Sequence, residues 1–294
     1  MIFPKSRAGE LEHRRRKRVR EITAIMAALR QKMGHDAESG LPDLDILEIG
    51  SGNGFQIPYL QKLGRVVASD FYIKDDLRRV QNPELVQCDV NHIPLCDNYF
   101  DLVFLNHVLV YMPDMDRVMA ELKRVGHRDC LYAITVPTSL WLLLSIPAQY
   151  WDKLSPRKRR SVWDLVQRKS SAIAGALTPA RRQESKWRSL KRKVLRRLLP
   201  NGYGAYPRFS ECWRAFRVRR WKDLFEHAGF EIELLSPLLL YGPSEWPIIP
   251  TTEIFNAWGI GSSVLFLLKK TSVASAKEKG GPSARRERRI MVES

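Results

Sequence analysis

Glu48-Ile49-Gly50-Ser51-Gly52-Asn53-Gly54 is the stretch that decides how this chain folds. Just ahead of the glycines, Asp45-Ile46-Leu47-Glu48-Ile49 reads as a short buried strand, and residues 55–63 behind them read as a helix. Glycines between a strand and a helix let the backbone turn tightly and lie against a ligand at the helix N-terminus. Glu48 adds a carboxylate at the mouth of that turn, which suits a cationic ligand end better than a pyrophosphate.

Outward from the loop, strand and helix alternate. Residues 65–70, 85–88, 100–105 and 130–136 read as further strands, and residues 115–125 as an amphipathic helix. This rhythm predicts an α/β fold with a parallel sheet covered by helices on both faces. Upstream, residues 10–33 form one helix with a charged first half, followed by Ile22, Ile25, Met26 and Leu29 at helical spacing. The alternation stops after the fifth strand for about eighty residues, then resumes with a helix over 221–230 and strands over 231–235 and 262–268. The expected organisation is a basic helix and linker (1–42), a ligand-binding core (43–137), a helical insertion (138–218), the rest of the core (219–270) and a disordered tail (271–294).

Composition narrows the partners. Residues 152–220 hold 21 Lys/Arg against 4 Asp/Glu, which accounts for the chain's whole net charge of +17. Within them Trp187, Leu190, Val194, Leu195, Leu198 and Leu199 trace an apolar helical stripe among seven Lys and Arg. A basic amphipathic helix of this kind suits an anionic membrane surface, and it equally serves as a lid packed on the core. The 4 cysteines form no CxxC pair, so neither a disulfide framework nor a bound metal is expected. The N-terminus has no signal-peptide pattern, and the apolar stretch 131–150 is interrupted by Pro137 and Pro147. A cytoplasmic protein, peripheral on the inner membrane face, is the resulting expectation.

Two acids complete the loop's surroundings. Asp70 ends the second strand, where its carboxylate can take a ribose diol, and Asp89 follows the third, where an adenine amino group would lie. Together these residues resemble the class I S-adenosylmethionine (SAM)-dependent methyltransferases over residues 43–136 and 221–269. The loop after Glu48 looks like that family's first motif, Asp70 like its ribose-binding acid, and Cys88-Asp89-Val90 like its adenine-side motif. Asp97-Asn98-Tyr99-Phe100-Asp101-Leu102-Val103 is similar to its approach to strand four. Asn106-His107-Val108-Leu109-Val110-Tyr111-Met112-Pro113-Asp114 resembles the subgroup that includes quinone-ring and small-molecule methyltransferases. The resemblance implies a Rossmann-like, doubly wound sheet of seven strands, the last antiparallel, with a basic helical insertion after strand five. It implies SAM as cofactor, bound by Glu48, Gly50, Ser51, Gly52, Gly54, Asp70, Phe71, Asp89, Val90 and Asn106.

Methyl transfer from a sulfonium needs an acceptor held in line and shielded from water, and a hydroxyl acceptor needs a base as well. His107, at a strand end facing the expected site, is the candidate base, with packing or substrate orientation as its alternative role. Glu211, in Arg208-Phe209-Ser210-Glu211-Cys212-Trp213-Arg214-Ala215-Phe216, is a second acid candidate if that segment lines the mouth. The chain lacks the Pro-Pro-aromatic element of nucleobase amino-methylation, the nucleophilic cysteine motif of pyrimidine carbon-5 methylation, and the clustered acids of a metal-dependent catechol site. A lipid, quinone, isoprenoid or lipid-linked glycan precursor leads as acceptor. RNA gripped by the basic insertion ranks below it, and a SAM-binding scaffold without transfer stands as the non-enzymatic alternative.

Overall fold

Leu44–Ile49 (β1) and Phe100–Asn106 (β4) lie side by side in the middle of a sheet whose two faces are separated residue by residue. Ile46, Leu102 and Phe104 point into one apolar layer, and Leu47, Val103 and Leu105 into the other. That period of two, apolar on both sides, is what a sheet buried between two helical layers requires. The computed structural model describes residues 7–34, 43–80, 83–154, 201–238 and 260–271.

The remaining strands are Gly64–Asp70 (β2), Glu84–Gln87 (β3), Gly126–Pro137 (β5), Asn201–Tyr203 (β6), Tyr206–Arg208 (β7), Phe230–Pro237 (β8) and Ser263–Lys270 (β9). Seven of them form one sheet in the order β3-β2-β1-β4-β5-β9-β8, while β6 and β7 make a separate hairpin. Strands β1 to β5 pair in parallel, and β9 runs antiparallel between β5 and β8. This is the expected doubly wound sheet with its last strand reversed.

Helix Arg7–Met33 (α1) covers one face, where Ile22, Ile25, Met26 and Leu29 are fully or nearly buried against Ile57 and Leu60. The one-turn helix Ile57–Leu60 (α2) follows the glycine loop, and Asp75–Arg78 (α3) follows β2. The opposite face carries Met115–Val125 (α4), Ser139–Leu154 (α5), Phe209–Ala215 (α6) and Val218–His227 (α7). The Asp114 side chain accepts the Arg117 N–H at 3.1 Å to cap α4, which buries Val118, Met119, Leu122 and Val125.

Several boundaries differ from the sequence reading. The helix expected over 55–63 is the single turn of α2, because Pro58 sets its start and the chain must reach β2 at Gly64. Strand β5 begins at Gly126 directly after α4, four residues before its expected start. Helix α7 ends at His227, and Gly229 makes the turn into β8 at φ +79°. The apolar stripe over 187–199 and the tail from 272 lie outside the described residues. Among the described residues, no helix is long and apolar enough to cross a membrane.

Candidate active site

The loop closing β1 is held from below by β2. Gly50 and Ser51 donate their N–H groups to the Ser69 carbonyl at 2.8 and 3.0 Å, and Gly52 donates to Asp70 Oδ2 at 2.8 Å. Asp70 Oδ1 accepts the Tyr72 N–H at 3.1 Å, so this one carboxylate braces the loop and the strand end together.

Gly50, Gly52 and Gly54 all take φ between +61° and +76°, but for different ends. A methyl group on Gly50 would stand 2.4 Å from Val108 Cγ2, so its missing side chain serves packing. On Gly52 a methyl group would meet nothing nearer than the Gly50 carbonyl at 4.0 Å. The backbone there is bare and turned toward open space, as a loop that receives a ligand should be.

Over it opens a cavity of about 380 Å³, within the size range of small-molecule sites. Gly50, Ser51, Gly52 and Asn106 line it, and α1 supplies Arg18 and Glu21 as a second wall. Arg18 Nη1 donates to Asn53 Oδ1 at 3.2 Å, which ties α1 to the loop.

The polar groups around the loop, some in the cavity lining and some behind it, fit SAM. Glu48 is 1 % exposed, and neither carboxylate oxygen has a hydrogen-bond partner among the described residues. Burial pushes its carboxyl up to about 7, the nearby Ser51 hydroxyl opposes this, and the Asp70 charge adds to the rise. A buried, unpartnered carboxylate is costly, and an ammonium group of a bound ligand would relieve it. Asn106 Oδ1 is likewise buried without a partner. Asp70 keeps accepting capacity beyond its two backbone bonds, which suits a diol.

The other expected residues fall at varying distances from this centre. The Cys88 N–H bonds the Asp70 carbonyl at 3.1 Å and so brings Asp89 beside Asp70. Asp89 Oδ1 meanwhile accepts the Asn91 N–H and Nδ2–H at 2.9 and 2.8 Å. Val90 is buried in the apolar layer, whereas Phe71 is 74 % exposed beside Asp70. Glu211 is not among the residues lining the cavity. Its Oε2 accepts the Arg208 N–H at 3.2 Å and its Oε1 pairs with the Arg208 guanidinium at 3.4 Å, a helix-capping role for α6.

His107 stands just past β4 with φ +59°, a conformation that costs a non-glycine residue about 1 kcal/mol. Its N–H continues the ladder to the Thr135 carbonyl at 3.0 Å, and its Nε2 lies 2.9 Å from Glu21 Oε1. Sequence reasoning missed Glu21 and Arg18. A signal existed, because Lys17 and Glu21 prolong the Ile25–Leu29 stripe at spacings of four, and both are buried. Polar residues on an apolar stripe are the kind that find partners across the fold.

Fold and loop together define a class I SAM-binding methyltransferase fold. Residues 47–134 match the family model described as a methyltransferase domain, and the polar groups around the loop suit SAM as the methyl donor. Among solved structures, it is similar to a SAM-dependent methyltransferase from Thermotoga maritima, with a TM-score of 0.51 and 16 % identity over 88 % of this chain and 91 % of that one. It is also similar to the methyltransferase of Haloferax volcanii solved in complex with the Trm112 methyltransferase activator, with a TM-score of 0.53 and 10 % identity over 90 % and 95 %. Identities this low establish the shared fold. No curated protein matches the chain in sequence.

Proposed function

We propose that this chain methylates a small, lipid-like acceptor, a quinone, isoprenoid or lipid-linked glycan precursor, at the cytoplasmic face of a membrane. The observation that carries the reading is the cavity over the glycine loop, which α1 walls on its far side and which has the size of a small-molecule site. A helix wall there suits compact ligands better than a polymer strand. Helix α5 leaves the C-terminal end of β5, the strand edge at which the glycine loop and its cavity lie, and begins Ser-Leu-Trp-Leu-Leu-Leu. Leu143 on that helix is 43 % exposed, and the basic segment 152–220 follows. Apolar side chains beside concentrated positive charge favour an anionic lipid surface.

Bound SAM supplies a methyl group already activated on a sulfonium. The protein's part is to hold and shield. Glu48 and Asn106 offer partners to the cofactor's polar end, and Asp70 offers one to its ribose. Gly52 lets the backbone approach, and Arg18 with Glu21 closes the wall against water.

Incubation with methyl-tritiated SAM and, separately, membrane lipids, total RNA and soluble metabolites tests the proposal. Label in the lipid fraction, abolished by Asp70→Ala, is the expected outcome. Label in RNA alone would replace this reading with a nucleic-acid methyltransferase. Tight SAM binding without label in any fraction would leave a scaffold.

A further inference from the structure

We infer that Glu21 and His107 form an acid–histidine pair serving an acceptor whose reacting atom is a hydroxyl oxygen, with Glu21 fixing the ring and His107 Nδ1 receiving the hydroxyl proton. The inference rests on the methyltransferase reading above and adds the class of acceptor atom.

Glu21 is 6 % exposed, reaches the cavity from α1, and places Oε1 between two partners. His107 Nε2 lies 2.9 Å from that oxygen, and Ser263 Oγ donates to it at 3.3 Å. An ionised carboxylate only accepts hydrogen bonds, so the neutral imidazole must carry its proton on Nε2. That leaves the lone pair on Nδ1, which has no hydrogen-bond partner among the described residues. The ring is therefore oriented at one nitrogen and open at the other, with 29 % of the side chain accessible, and it stands next in the chain to Asn106 of the cavity lining.

Backbone geometry points the same way. A non-glycine residue at φ +59° is uncommon, and the ladder bond to Thr135 fixes His107 there. Strain of this kind persists where the surroundings over-determine it, and it gathers at functional sites.

An open imidazole nitrogen matters only for certain acceptors. A neutral amine already presents a lone pair, whereas a hydroxyl becomes a good nucleophile as it loses its proton. In the step assigned here, the hydroxyl oxygen forms a bond to the methyl carbon while the carbon–sulfur bond breaks and its electron pair stays on sulfur. The hydroxyl proton passes to Nδ1, and the resulting imidazolium is stabilised by the Glu21 charge. The products are a methyl ether, a neutral thioether and a proton that later leaves His107 for solvent.

Ring-nitrogen NMR of the full chain labelled with 15N-histidine tests the pair without any acceptor. His107 is assigned among the 6 histidines by its absence in His107→Asn, a replacement that tolerates the left-handed backbone. The wild-type ring should be protonated at Nε2 and bare at Nδ1. In Glu21→Gln the amide can donate to Nε2, and the ring should shift toward the Nδ1–H tautomer. By calorimetry, S-adenosylhomocysteine should bind both variants within about threefold of wild type, because neither substitution removes a cofactor partner named above. Label from methyl-tritiated SAM should be released as methyl iodide when the lipid or metabolite product is cleaved with hydriodic acid, as O-methyl groups are. That label should form on the order of 10²–10⁴ times more slowly in His107→Asn. It should form at least about tenfold more slowly in Glu21→Gln, with the acceptor KM little changed, and Glu21→Asp should recover part of the loss.

A wild-type ring protonated at Nδ1, an unaltered tautomer in Glu21→Gln, or label confined to carbon- or nitrogen-bound methyl groups would overturn the assignment. Should Glu21→Gln fail to fold, the wild-type tautomer and the His107→Asn rate still decide it. Failure of the wild-type chain to bind S-adenosylhomocysteine would instead overturn the methyltransferase reading, and the tautomer result would judge the pair on its own.

Discussion

The ladder between β4 and β5 has a histidine–carboxylate pair at each end, and the two are built differently. At the C-terminal end His107 meets Glu21 through Nε2 alone, from a strained backbone, against an acid that is almost wholly buried. At the N-terminal end His127 Nε2 meets Asp101 Oδ1 at 2.7 Å, while its Nδ1 accepts the Asp129 N–H at 2.8 Å. Asp101 Oδ2 also accepts the Asp45 N–H at 2.8 Å, so this second pair clips β1, β4 and β5 together. Both ring nitrogens of His127 are occupied by the fold. One ring nitrogen of His107 is left for something else, and that difference separates a fastener from a working group.

The contrast can be broken in several ways. The largest effect expected is on transfer: His107→Asn should lose on the order of 10²–10⁴ in rate, while His127→Asn should stay within about threefold of wild type. Equal losses in the label assay would erase the distinction.

Next in size is the pH response of Glu48, which sits at the same end of the sheet as His107. Burial raises its carboxyl from 4.5 to about 7, so the folded chain holds this proton more tightly than the unfolded chain. Its share of stability is therefore complete below the unfolded value and is lost as pH rises through about 7, to an extent on the order of 3 kcal/mol. Thermal melts between about pH 5 and pH 8 should show that decline in wild type and a flatter profile in Glu48→Gln. Added S-adenosylhomocysteine should restore wild-type stability most at the alkaline end, where its ammonium meets an ionised Glu48.

The glycines sharpen the comparison further. Gly50→Ala would drive a methyl group to 2.4 Å from Val108 Cγ2, and it should cost stability by about 1–3 kcal/mol in denaturant titration. Gly52→Ala meets open space, so its folding cost should be limited to about 1 kcal/mol of backbone strain while its loss of ligand affinity by calorimetry is the greater of the two. The smallest effect belongs to the fastener: Asp101→Asn should lower stability by about 1 kcal/mol and leave S-adenosylhomocysteine affinity unchanged.

What was legible in the sequence was whatever depends on neighbours along the chain. The strand and glycine loop around Gly50, the order of elements through β5 and the buried stripe Ile22-Ile25-Met26-Leu29 are local patterns, and each appears in the fold, although α2 is shorter and β5 longer than the periodicity predicts. The place of Asp70 at the end of the second strand was legible too, whereas its brace on the Gly52 N–H was not. Glu21 was not, since its partner lies 86 positions away and only tertiary packing brings α1 over the end of β4. Nor could the sequence distinguish Glu211 as a site acid from Glu211 as a cap. That depends on where α6 starts, and the Arg208 contacts now answer it.

Glu21 Oε1 also accepts Ser263 Oγ, a bond between residues 242 positions apart. A ribosome that has finished the glycine loop and even the whole of β5 has therefore not yet finished the site, whose last fixed partner arrives with the final strand. A chain that ended before β9 would have the glycine loop without the Ser263 hydroxyl that helps hold Glu21 beside His107.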